Sequence, residues 1–101
     1  MIRVTVMYPN QAGNTFDMEY YCKTHMPMAQ RLLGATAVSA ELGIGGGSPG
    51  SAAPYIAIAH LLFESLEGFQ KAFMTNGQQL IADIPNYTNA TPVFQISEVK
   101  L

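Results

Sequence analysis

The chain has 101 residues, 49% of them apolar and 12% charged, with a formal net charge of −2. Its length fits one domain with a real but modest core, and a charged fraction well under the usual ~25% implies that some apolar surface is covered by another subunit. Five Lys and Arg without a cluster give phosphate backbones and anionic membranes nothing to hold, which excludes nucleic acid and membrane surfaces as partners. The most apolar stretch, Ala52 to Phe63, is interrupted by Pro54 and His60 and is shorter than the ~18 residues of a membrane span. Cys22 has no second cysteine to pair with, and Met1-Ile2-Arg3-Val4 lacks the zones of a secretory signal, so the expected location is cytoplasmic.

Ile2, Val4, Val6 and Tyr8 alternate with Arg3, Thr5 and Met7 and run into the turn residues Pro9-Asn10-Gln11-Ala12-Gly13, which predicts a first strand. A helix follows from Phe16 towards Gly34, capped by Asn14 or Thr15, with Asp17 and Glu19 in its first turn. Pro27 lacks an amide proton and disfavours helical geometry at Met26, so a kink or restart is expected between His25 and Pro27. Ala35 to Ile44 reads as a second strand, Gly45 to Ser51 as a flexible link, and Pro54 to Phe63 as a third strand apolar on both faces. Ser65 caps a second helix carrying Leu66, Phe69, Phe73, Leu80 and Ile81, with a break at Thr75-Asn76-Gly77 and an end at Pro85. Val93 to Val99 supplies the fourth strand. The order is βαββαβ, an α+β ferredoxin-like domain over residues 1–101. Its antiparallel four-stranded sheet has helices on one face. The bare face is best covered by the same face of a second copy, which predicts a homodimer.

The densest cluster of polar and aromatic residues is Phe16 to Pro27. Asp17, Tyr21 and His25 follow one another at i, i+4, so a carboxylate, a phenol and an imidazole share one stripe of the helix. Such a stripe suits a proton relay, with the imidazole exchanging protons near neutral pH and the phenol holding an enolate oxygen. The same pattern also fits plain architecture: core aromatics, an acidic helix start and a capping histidine. Cys22 and His25 are three apart, a possible thiolate pair, but a free cysteine that simply packs accounts for it as well. His25 and His60 are the two imidazoles and have no His-x-x-x-His or Cys-x-x-Cys partner, so no metal is expected. Gly45 to Gly50 formally fits G-x-G-x-x-G but leads into a strand rather than opening a helix, so no dinucleotide cofactor is expected. His60 reads as a core or interface histidine or as a second polar group lining a pocket. Asp83, Asn86, Tyr87 and Thr88 read as ordinary loop residues after the second helix.

The run Val4-Thr5-Val6-Met7-Tyr8-Pro9 leading into Phe16-Asp17-x-x-Tyr20-Tyr21-x-x-x-His25-x-Pro27, with Gly34 closing the helix, resembles the EthD family, named from ethyl tert-butyl ether degradation. Phe63 to Phe69, Ala82 to Thr88, Pro92 and Ser97-Glu98-Val99 extend the resemblance over essentially the whole chain. The resemblance implies a dimeric α+β barrel built from ferredoxin-like monomers, with a small apolar pocket between sheet and helices. Members of the family are commonly labelled reductases. Relatives in the superfamily isomerise lactones, cyclise polyketides or oxygenate without a cofactor, and they share proton transfer on enolisable or phenolic substrates.

The combined expectation is a cofactor-independent enzyme acting on a small apolar carbonyl or aromatic metabolite. His25 is the proton acceptor or donor and Tyr21 holds the oxygen, while Tyr20, His60, Asp83 and Tyr87 contact the substrate. The rival is a binding module without chemistry that holds a reactive product for a partner oxygenase.

Overall fold

The computed structural model describes residues 1–101. Strands β1 (Ile2–Pro9), β2 (Ala37–Leu42), β3 (Tyr55–Phe63) and β4 (Val93–Glu98) form one sheet in the order β2-β3-β1-β4. All three pairings are antiparallel. The first helix fills residues 18–33 and the second is Leu66–Asp83, followed by a 3-10 turn at Ile84–Asn86. This is the α+β ferredoxin-like arrangement expected from the sequence.

Register decides which side chains meet. Val4 sits opposite Leu61 and Ile96, and Val6 opposite Ala59 and Phe94, so these residues share the face under the helices. Val4, Val6, Tyr8, Ala57, Ala59, Leu61 and Phe63 are buried there. Thr5 lies between Val4 and Val6 and faces His60 on the opposite, open side of the sheet.

The first helix differs from expectation at both its start and its middle. Asp17, rather than Asn14 or Thr15, is the cap: its carboxylate accepts from the Tyr20 amide at 3.0 Å. Asn14 donates to the Pro9 carbonyl instead, and the Thr15 amide donates to Asn89 Oδ1. Pro27 does not push Met26 out of helical geometry, since Met26 has φ −66° and ψ −41°. The irregularity lies one turn earlier, where Tyr21–His25 is π-helical and the Met26 amide reaches back to the Tyr21 carbonyl. A widened turn ahead of a proline leaves room for its ring and absorbs the missing donor without breaking the helix. Gly34, at φ 72°, ends the helix in the left-handed geometry that glycine adopts at least cost.

The break expected at Thr75-Asn76-Gly77 does not occur, because each residue has another task. Thr75 Oγ1 donates to the Lys71 carbonyl, and Asn76 Nδ2 donates to the Leu32 carbonyl in the last turn of the first helix. A Cβ on Gly77 would stand 3.0 Å from the Phe73 ring, so glycine is what lets that ring lie against the backbone. Ser65 caps this helix as expected, accepting from the Gly68 amide. No helix is long and apolar enough to cross a membrane.

Candidate functional site

A cavity of about 470 Å³ lies between the sheet and the two helices. Of the 17 residues lining it, 16 are hydrophobic and the other is His25. The π turn brings His25 here. The Tyr21 and His25 rings stack at 5.3 Å with their planes 13° apart, and both side chains are buried.

The carboxylate that meets His25 comes from the far end of the second helix. His25 Nδ1 lies 2.9 Å from Asp83 Oδ2. Asp83 also accepts from the Tyr20 hydroxyl at 2.6 Å and from Asn86 Nδ2 at 2.9 Å. Burial works to raise the Asp83 pKa, but the hydrogen bonds from Tyr20, Asn86 and His25 together hold it below the ordinary 3.8. An ionised carboxylate only accepts, so Nδ1 carries the proton and Nε2 is left as the basic nitrogen. Burial dominates at His25 and keeps its pKa below 6.5, while Asp83 opposes that shift. The imidazole is therefore neutral at pH 7 and able to take a proton.

His25 Nε2 faces the Tyr87 hydroxyl at 3.5 Å, and that hydroxyl lies 2.7 Å from the hydroxyl of Tyr8. Tyr8 and Tyr87 are almost wholly enclosed, at 2% and 3% exposure. Burial pushes both phenols, and Tyr21 with them, above the ordinary value of 10.0. All three remain protonated and can donate. Tyr87 is fixed by a zipped pair of loops: its carbonyl accepts from the Asp17 amide at 2.7 Å, Phe16 bridges Thr88, and Thr88 Oγ1 donates to the Thr15 carbonyl. The loop residues 86–89 thus carry the site as well as the turn.

Asp83, His25, Tyr87 and Tyr8 form one chain of polar contacts, and His25, Tyr21 and Tyr87 line the same cavity. The expected Asp17 relay is replaced by Asp83, because Asp17 is spent on capping. Tyr21 stacks on the imidazole without bonding to it; its hydroxyl lies beside that of Tyr8. Asp83 and Tyr20 do not line the cavity. They stand behind His25, with the Tyr20 ring stacked on Tyr87 at 6.2 Å and its hydroxyl donating to Asp83, so the structure places these two expected substrate contacts beside the cavity rather than on its wall. His60 is on the other face of the sheet, bonded to Thr5 Oγ1 at 3.2 Å and Glu41 Oε1 at 3.3 Å, and does not reach the cavity. The alternation of β3 sends it there while Ala59 and Leu61 point inward. Cys22 is exposed on the first helix, not packed in the core.

Tyr8 is the residue that sequence reasoning passed over. Its signal was a phenol on the inward face of an alternating strand, where a buried hydroxyl requires a partner.

A ferredoxin-like α+β fold enclosing an apolar cavity with an Asp–His pair and buried phenols at one end defines the class. The profile of the EthD domain matches residues 13–91, and the chain belongs to the EthD family. An EthD-like protein from Ralstonia eutropha is similar at 39% identity, over 99% of this chain and 92% of that one, with a TM-score of 0.94. An ethyl tert-butyl ether degradation (EthD) family protein from Bacillus halodurans has the same fold at 17% identity and a TM-score of 0.68, covering 99% of both chains. HapK from Hahella chejuensis shares the fold at 10% identity and a TM-score of 0.65, over 99% of this chain and 93% of that one. No curated protein matches the chain.

Proposed function

We propose that the protein is an enzyme of proton transfer acting on a small apolar carbonyl or aromatic compound. The observation that carries this reading is the imidazole of His25: Nδ1 is pinned to a carboxylate at 2.9 Å, and the ring is the one basic group lining a cavity that is otherwise apolar apart from tyrosine hydroxyls. A C–H proton alpha to a carbonyl passes to His25 Nε2, and the C–H electron pair becomes the enolate double bond. The carbonyl electrons move onto oxygen, where the Tyr87 hydroxyl, supported by Tyr8, donates to them. Asp83 stabilises the imidazolium until the proton returns: to the far carbon of a conjugated dienolate, which completes an isomerisation, or to the oxygen of a second carbonyl of the same substrate, whose π bond breaks as the enolate carbon adds to it and closes a ring.

Exchange of an enolisable probe with solvent deuterium tests this directly, because it needs only the first step. An aryl methyl ketone such as para-butylacetophenone, followed by NMR, is expected to exchange with the wild type. Exchange falls by about 10²-fold or more with His25→Gln, whose amide keeps hydrogen bonds but does not titrate. Wild-type exchange no faster than buffer overturns the enzymatic reading. The non-catalytic binding module, which the almost wholly apolar lining also accommodates, then takes its place.

We also propose that the open sheet face pairs with its counterpart in a second copy to form a homodimer. Met7, Ile58 and Leu62 lie on that face around the Thr5–His60–Glu41 contacts, each only partly covered. Sedimentation at micromolar concentration is expected to show a species of twice the 10.9 kDa chain mass. A single species at the chain mass rejects the dimer.

A further inference from the structure

The cavity is polar at one end only. His25, Tyr87 and Tyr8 meet there, beside the end of the second helix. The bonds from Asp83 to His25 and from Asn76 to Leu32 run the two helices antiparallel, so the lining continues along the first helix from His25 to Leu33. Eight residues of helical rise make a slot of about 12 Å. The sheet gives the same length: four residues separate Tyr8 from Val4, which sits between Leu61 and Ile96, and four strand residues span about 13 Å. Beyond the phenols every lining residue is a hydrocarbon or thioether side chain, Leu33, Phe69 and Ile96 among them.

Charge narrows the occupant further. None of the five Lys and Arg residues lines the slot, and the Asp83 carboxylate stands behind His25. A carboxylate or phosphate head entering here would lose its hydration, find no counter-charge and face a like charge. A neutral head oxygen suits the same place: Tyr87 donates to it, and His25 Nε2 accepts a proton from the head or from the carbon beside it.

We propose that the ligand is a neutral molecule with a single oxygen head, a phenol or an enolisable ketone, and a hydrocarbon tail of about 12 Å that lies along the slot towards Leu33 and Ile96. The choice of head rests on the proton-transfer reading; the tail and the exclusion of anions rest on the slot alone. Phenols carrying para-ethyl, para-butyl and para-hexyl chains are suitable probes, with para-hexylbenzoate as the anionic control, all measured by titration calorimetry at pH 8.

Affinity is expected to rise roughly fourfold per methylene through the series, from the usual worth of a buried CH2. The benzoate should bind at least about tenfold more weakly than the hexyl phenol, as an unpaired charge demands. Ile96, on the rim at 47% exposure, tolerates a larger side chain. Ile96→Trp is expected to weaken the hexyl phenol and spare the ethyl one. A flat chain-length profile, or a benzoate that binds as well as the phenol, overturns the ligand class whatever the exchange experiment shows. The rising profile without ketone exchange overturns catalysis and leaves the ligand class standing.

Discussion

Asp83→Asn is expected to lower proton transfer by about 10²- to 10⁴-fold while leaving ligand affinity close to the wild-type value, because Asp83 acts on the imidazole and does not line the cavity. The carboxylate accepts three hydrogen bonds and so fixes the proton on Nδ1. An amide can turn its NH2 towards Nδ1. The proton then moves to Nε2, and the base facing the substrate is lost. The amide also gives up the charge that supports the imidazolium. The acid limb of the rate profile reads this second effect. In the proposed reaction His25 acts as a neutral imidazole, so the rate is expected to fall as pH drops through its pKa, which burial holds below 6.5 against the opposing pull of Asp83. Removing the carboxylate removes the influence that raises that pKa, so the limb moves to still lower pH in the variant. A wild-type rate and an unmoved acid limb in Asp83→Asn would show that Asp83 does not position His25. A loss confined to KM would place it in the binding surface instead.

The periodic parts of the chain were legible because burial imposes period on sequence. Alternation marked β1, a short run apolar on both faces marked β3, and helical spacing with Ser65 marked the second helix. The site was legible only in part. His25, Tyr21 and the Pro27 irregularity were readable from a single local run, but the form of that irregularity was not. A kink and a π turn both answer the missing proline donor, and the choice depends on the packing of Tyr21 and His25. The carboxylate partner lies 58 residues from His25, and no local spacing distinguishes Asp83 from Asp17. Asp17 was the natural choice on the helical stripe, yet at the helix start it is worth more as a cap. His60 was open to misplacement because β3 is apolar on both faces, and alternation without a polar face does not say which side turns inward. The breaker signals Thr75-Asn76-Gly77 misled for a related reason, since their preferences are satisfied by Lys71, Leu32 and Phe73, which only the tertiary fold supplies.

Tyr21→Ala is expected to destabilise the protein by about 3–5 kcal/mol, as the loss of a large buried aromatic does. Of a typical domain stability of about 5–15 kcal/mol, that is roughly a fifth or more. Tyr21 is 1% exposed and packs edge-on against Tyr8 and Phe16 at 5.5 and 4.9 Å, in addition to its stack on His25. Truncation leaves a void at the π turn, where the helix has already given up regular spacing and is least able to close over it. Tyr21→Phe keeps the ring and is expected to cost about 1 kcal/mol or less, the net worth of one hydroxyl contact. The pair of variants separates two roles for this residue. If Tyr21 serves by its ring, setting the plane of the imidazole, then Tyr21→Phe retains ketone exchange, and Tyr87→Phe, which removes the hydroxyl facing His25 Nε2, does not. Urea unfolding followed by circular dichroism measures the first difference and deuterium exchange the second. A Tyr21→Phe variant as unstable as Tyr21→Ala, or one that loses exchange while Tyr87→Phe keeps it, would return the task of holding the substrate oxygen to the Tyr21 hydroxyl.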